Sequence, residues 1–351
     1  MRQKITIFCM AVFFGSLVVA VLSINFKRPS VLVLHSYDSS YTWTREVNVG
    51  LKRELEKDRW ILVRYHYMDT KRNSGKDSLR RAGIAARDLI RDKRPDIIIA
   101  IDDYAQSLVA STFVNDPDIQ IVFAGVNGSA EPYGYIGAKN VTGIYERKPI
   151  AALKEILMIL APGATEHTHT GHTVSATFIA DKSLSSMKDS ELMTKHDWSP
   201  ITFEKPRHVS DFESWKKAIL AAEKRSDFVL PGGYRKLKRR PDSGPNEKFV
   251  PPKEVMNWTE NNSPVPVIGT SIFHSEEGAM VSVGVSPYEQ GGVAAKMAQR
   301  IIQENLKAGQ IPIQTSNLYI VSYKRSALER RKLKIPKIFE AFARATNNHF
   351  D

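Results

Sequence analysis

Val31-Leu32-Val33-Leu34 runs into His35-Ser36-Tyr37, and the amphipathic stretch 43–57 follows at once. Four consecutive apolar residues fit a strand buried on both faces. The polar break fits a loop, and the 3.6-residue periodicity after it fits a helix. The unit recurs. Residues 61–68 alternate Ile61, Val63, Tyr65 and Tyr67, the period of a strand, and 74–91 carry Leu79, Ile84, Leu89 and Ile90 on one helical face. Pro95 then punctuates the chain. A buried strand over 96–101 ends at Asp102-Asp103, a short helix spans 104–112, and a strand over 119–124 ends at Gly125-Val126-Asn127-Gly128. Buried strands alternating with helices make an α/β fold with parallel sheets, and such sheets bind ligands beyond the carboxyl ends of their strands.

Residues 140–144 read as a crossing strand, and a helix over 149–160 stops at Pro162-Gly163. A second α/β series begins there, with strands at 174–180, 201–203 and 228–230 and helices at 184–196 and 211–224. The similar spacing of the two series points to two similar lobes. Residues 231–252 break the pattern: Gly232, Gly233 and Gly244 with Pro231, Pro241, Pro245 and Pro251 surround a basic run from Arg235 to Arg240. This reads as a long, mobile loop. Beyond it come a helix at 255–260, strands at 265–268 and 280–285, a helix at 287–306, a strand at 318–321 and a basic tail with a helix at 337–345.

The 351 residues are 42% hydrophobic and 25% charged, a composition that supports a sizeable core and about two domains. The formal net charge of +12 favours solubility and anionic surfaces. No nucleic-acid partner is expected, because the densest basic cluster has only Tyr234 as an aromatic neighbour. At the N-terminus, Arg2 and Lys4 precede an apolar run over 5–24, the pattern of an export signal. Its length of about 20 residues also suffices to span a bilayer. Residues 1–29 are therefore a signal peptide or an N-terminal membrane anchor, and a periplasmic or otherwise extracytoplasmic location is expected. The single cysteine, Cys9, lies within that run, so the rest of the chain has no thiol chemistry.

Enzyme signatures are missing: there is no glycine-rich dinucleotide fingerprint, phosphate loop, Gly-x-Ser-x-Gly elbow or His-Glu-x-x-His. No catalytic residue, cofactor or metal is assigned. His167, His169 and His172 lack a fixed ligand spacing and read as a solvated loop. The strand-end loops of the first series offer Ser36, Tyr37, Trp43, Asp102, Asp103 and Asn127 as ligand-binding residues, with rings to stack and polar groups to grip a ligand head. Asp102 or Asp103 has an alternative role as cap of the helix near Tyr104, and Trp43 as a helix-start residue. The second series offers Asp181, Gly232, Gly233 and Tyr234.

Several stretches resemble the ABC-transporter substrate-binding proteins with a type I periplasmic-binding fold. The similarity is greatest to the branch with tryptophan-type binding proteins and the extracellular sensor domains of some kinases and cyclases. The stretches are Val31 to Tyr37, Tyr41 to Glu46, Pro95 to Asp103, Val122 to Asn127, Val141 to Ile144, Pro266 to Ser271, Val281 to Val285 and Tyr288 to Gly291. The resemblance implies two Rossmann-like α/β lobes with parallel sheets, joined by three crossovers. Lobe one would take 30–143 plus 270–312, and lobe two 144–269 plus 313–351. It further implies an exported protein, not an enzyme, that closes its lobes on a small molecule for an ABC permease. That molecule would be an amino acid or another small carboxylate. The alternative is the same domain as accessory sensor for a membrane kinase or cyclase; an α/β enzyme ranks below both. The chain departs from the family at 166–172, 181–184 and the 231–252 loop.

Overall fold

β1 (Ser30–His35) shows why this chain forms sheets covered on both faces. Val31 and Val33 point into one apolar cluster and Leu32 and Leu34 into another, and all four are buried. In the computed structural model, residues 2–26, 28–161, 173–242 and 248–351 are described. The N-terminal helix α1 (Arg2–Phe26) exposes its apolar side chains from Ile5 to Val19. Among the described residues, no helix is long and apolar enough to cross a membrane.

After β1 come α2 (Thr42–Leu55), β2 (Leu62–Tyr67), α3 (Lys76–Lys93), β3 (Ile97–Ile101), α4 (Asp102–Leu108), β4 (Gln120–Val126) and β5 (Val141–Tyr145). The second series is α5 (Ile150–Leu160), β6 (Ser175–Asp181), α6 (Leu184–Lys195), β7 (Thr202–Val209), α7 (Phe212–Leu220), β8 (Phe228–Pro231), α8 (Pro252–Asn262) and β9 (Ile268–Gly269). The chain ends with α9 (Phe273–Glu277), β10 (Val281–Val285), α10 (Pro287–Gln303), β11 (Gln314–Thr315), β12 (Tyr319–Lys324), α11 (Arg325–Arg331), α12 (Lys337–Ala345) and β13 (His349–Phe350).

The first sheet has six strands in the order β11-β5-β4-β3-β1-β2, all parallel. The second layer is built from β7-β6-β8 and β13-β12-β10-β9, linked by a parallel bridge between Val229 and Val267. Only β10 and β12 pair antiparallel there. The segment 270–312 is divided between the lobes. Its strand β10 pairs with β9 and β12, whereas its helix α10 lies against α2 of the first lobe. That helix contact is backbone-close: a Cβ on Gly50 would strike Tyr288 O, and one on Gly291 would strike Val47 O.

Three crossovers join the lobes, between β5 and α5, between β10 and α10, and between β11 and β12. They are bonded to each other. Ser316 N donates to Tyr145 O at 3.1 Å, Ser286 N to Leu318 O at 3.2 Å, and Arg147 N to Ser316 Oγ at 3.1 Å. The Glu289 carboxylate accepts from Asn317 N and Leu318 N, both at 3.1 Å. A short, mutually bonded set of crossovers suits hinge motion of the lobes.

Candidate functional site

The strand ends of both lobes face one cleft beside the crossovers. At its base, Lys148 on the first crossover reaches Asp189 of α6 at 3.3 Å, Glu146 at 3.5 Å and Ser271 Oγ at 3.4 Å. Asn127, just after β4, donates from Nδ2 to Asp189 Oδ1 at 2.9 Å and so ties the lobes together. One ammonium thus serves two buried carboxylates. Burial raises both, taking Glu146 to about 7 and lifting Asp189. Burial also acts against the Lys148 ammonium, but the facing Asp189 and Glu146 outweigh it and raise its pKa.

Above this base lies a partly open space of about 60 Å³, lined by groups that include Tyr37, Trp43, Asp102, Asn127, Gly232, Gly233 and His274. Asp102 is shaped by backbone geometry. It sits at φ +66 with Gly125 beside it at φ +68, and a Cβ on Gly125 would come within 2.9 Å of Asp102 Oδ1. Both residues occupy the left-handed region, which aspartate tolerates better than most side-chain-bearing residues. Its Oδ2 is buried without a partner, as are Trp43 Nε1 and His274 Nε2. The Trp43 indole N–H lies close enough to hold the Asp102 carboxyl down somewhat, without hydrogen-bond geometry. Burial first, and then Glu146, push the Asp102 carboxyl well above its ordinary range.

His274 Nδ1 accepts from Thr270 N at 3.2 Å, so in the neutral ring the proton is on Nε2. Burial holds that ring neutral by lowering its pKa far below the usual value. The space therefore presents the Asp102 carboxyl, which accepts at Oδ2 once it is ionised, and two donors, the indole and imidazole N–H groups. These come from both lobes. Unpaired buried polar atoms are costly, and their convergence on one space makes it the candidate site.

A smaller space of about 30 Å³ adjoins it toward Asp181, Tyr234, Arg235 and Lys236. Aromatic and cationic groups interleave across the lobes here. Tyr41 and Phe273 rings lie 6.1 Å apart, Arg235 stands 4.8 Å from each, and Lys71 lies 4.3 Å over Tyr37.

Not every residue expected at the site lines it. Tyr37, Trp43, Asp102, Asn127, Gly232 and Gly233 line the larger space, and Asp181, Gly233 and Tyr234 the smaller. Ser36 lies beneath the cleft. Its Oγ donates to Ile101 O at 2.7 Å and accepts from Ala105 N at 2.7 Å, which fixes the start of α4. Asp103 joins the lobes, accepting from Tyr133 Oη at 2.6 Å and pairing with Lys188 at 3.0 Å. Asp102 makes no capping bond at α4. Asp181 accepts from Ser183 N, Ser186 Oγ and Lys236 N at 2.8–3.0 Å. Sequence reasoning missed Lys71, Glu146, Lys148, Asp189 and His274; each follows or faces a strand end but lies in no recognisable motif.

Residues 231–242 are pinned, unlike the mobile loop expected. Tyr234 and Leu237 are fully buried, and Lys238 exchanges backbone bonds with Ser210 and Phe212. His167, His169 and His172 lie outside the described residues. Among those described, no group of His, Cys, Asp or Glu could hold a metal.

The family model "ABC transporter substrate binding protein" matches residues 250–345. No curated protein matches the chain in sequence. Among solved structures, a conserved domain protein from Vibrio cholerae is similar at 16% identity and TM-score 0.66, over 93% of this chain and 100% of that one. An ABC domain from Streptococcus pneumonia in complex with L-Trp is similar at 13% identity and TM-score 0.64, over 89% and 98%. The ligand-free, open structure of a substrate binding protein with adhesive properties from Clostridium difficile is similar at 13% identity and TM-score 0.62, over 88% and 96%. The fold is that of the type I periplasmic-binding-like proteins.

Proposed function

We propose that this chain is an exported solute-binding protein that captures a small molecule between two closing lobes and delivers it to an ABC importer. The observation behind this reading is the convergence of unpaired, buried polar atoms from both lobes on one space between them. Asp102 Oδ2, Trp43 Nε1 and His274 Nε2 would each gain a partner from a solute that offers one donor and two acceptors. The rings of Tyr37 and Trp43 add apolar walls. The mutually bonded crossovers supply the hinge, and Asn127–Asp189 and Asp103–Lys188 are closed-state contacts. The apolar run after Arg2 and Lys4 serves as the export signal.

The family match over 250–345 supports a transport role, and the complex of the Streptococcus protein with L-Trp supports a small-molecule ligand. The test is release and rebinding. Protein purified from its native host is denatured, and the small molecules set free are identified by mass spectrometry. Calorimetric titration of the refolded protein with the released compound should give saturable binding with one site. Chemical turnover of that compound, or no saturable binding, overturns the proposal.

A further inference from the structure

Two residues of the basic run at 235–240 enter the cleft. Arg235 and Lys236 line the smaller space together with Lys71, which comes from the loop between β2 and α3 of the other lobe. Their charges are not equally compensated. Arg235 is paired with Glu277, whose carboxylate also accepts from Tyr234 Oη. Lys71 and Lys236 make no ion pair among the described residues. Lys71 Nζ donates to Tyr41 Oη at 3.1 Å and lies over the Tyr37 and Tyr41 rings. Lys236 Nζ donates to Tyr104 Oη at 3.1 Å and lies 4.9 Å over that ring. The nearby Asp181 carboxylate is already occupied by Ser183 N, Ser186 Oγ and the Lys236 backbone N–H.

Each ammonium has three donors, so both retain unused ones. Closure brings these like charges from opposite lobes to one space, which opposes it. An anion between them reverses the sign of that effect.

We propose that the smaller space of the cleft is an anion subsite, in which Lys71 of one lobe and Lys236 of the other grip a carboxylate or phosphoryl group of the solute. The inference rests on the solute-binding reading and adds to it the charge of the ligand and the residues that select for it. Burial, and after it the charge of Lys71, draws the Lys236 ammonium down to about 8, and the nearby Asp181 carboxylate offsets this only in part.

Acetate and inorganic phosphate are the probes, each exchanged for chloride at constant ionic strength while the melting temperature of the full chain is followed. The parent should be stabilised in a saturable way by one of them; acetate identifies a carboxylate site and phosphate a phosphoryl site. A charge-assisted hydrogen bond corresponds to about a 10- to 150-fold change in affinity. Lys71→Gln and Lys236→Gln should each raise the half-effective concentration by at least about tenfold, and Lys71→Arg and Lys236→Arg should retain most of the response. The arginine variants keep the test valid if a glutamine variant does not fold. An equal response in parent and glutamine variants, or no response to either probe, overturns the inference. If the natively released compound closes the lobes but carries no anionic group, the inference falls and the solute-binding reading stands. If the probes behave as expected and no compound closes the lobes, the anion subsite stands and that reading falls.

Discussion

Asp102→Asn separates a ligand-facing carboxyl from a structural one. Asparagine has nearly the same shape and tolerates the positive φ of this position, so the change removes the ionisable group with little else. In the folded protein the Asp102 carboxyl holds its proton to higher pH than in the unfolded chain. Its contribution to stability is therefore fully present below the unfolded value of about 3.9 and is lost as pH rises through the folded value. Lys71 and the Trp43 N–H favour the charged form and reduce the effect. A cost of about 1–3 kcal/mol, typical of an unsatisfied buried polar group, is expected.

Urea unfolding of the ligand-free proteins should therefore show parent and variant equal near pH 4, with the variant more stable by about 1–3 kcal/mol at pH 7. Calorimetric titration with the natively released compound should show a loss of about 5- to 150-fold in affinity, because the amide cannot ionise to meet the ligand's donor as a carboxylate does. A variant that is less stable at pH 7 refutes the unpartnered-carboxyl argument. A variant that binds like the parent refutes the ligand-facing one.

Other changes probe the rest of the structure. Glu146→Gln should flatten the fall in stability between about pH 5 and 7.5, since a carboxyl raised to about 7 contributes stability that is lost as pH rises through that value; melting curves across this window check it. Lys188→Met leaves the buried Asp103 carboxylate without its cation, so the ligand-free protein should lose about 1–3 kcal/mol and scatter as a more open particle. Gly291→Ala places a methyl group against Val47 O in the α2–α10 contact and should cost about 1–3 kcal/mol in urea unfolding, with binding affected only through folding. Ser36→Ala should destabilise α4 by about 1–3 kcal/mol yet leave calorimetric affinity for the released compound unchanged.

What was legible in the sequence follows from the range of the forces involved. β1, β3 and β4 announce themselves because strands buried on both faces must be apolar throughout. β7 was foreseen only at 201–203 but continues to Val209, because a half-exposed edge strand accommodates Glu204, Lys205, Pro206 and Arg207. α4 starts at Asp102 rather than Tyr104, and the left-handed backbone at Asp102, packed beside Gly125 of β4, is not marked in the local pattern. The cleft was half visible. Tyr37, Trp43, Asp102 and Asn127 follow strands that the pattern located. Glu146, Lys148, Asp189 and His274 meet only because the crossovers fold the lobes together, and local pattern carries no record of that. The loop at 231–242 misled for the same reason: its glycines, prolines and charges suggest mobility, whereas burial of Tyr234 and Leu237 pins it.

Small-angle scattering on the refolded, ligand-free protein before and after addition of the natively released compound tests the central claim most directly. Closure of two lobes on a solute predicts a decrease in radius of gyration that saturates at the same concentration as the calorimetric binding curve. An unchanged radius at saturating compound would contradict it.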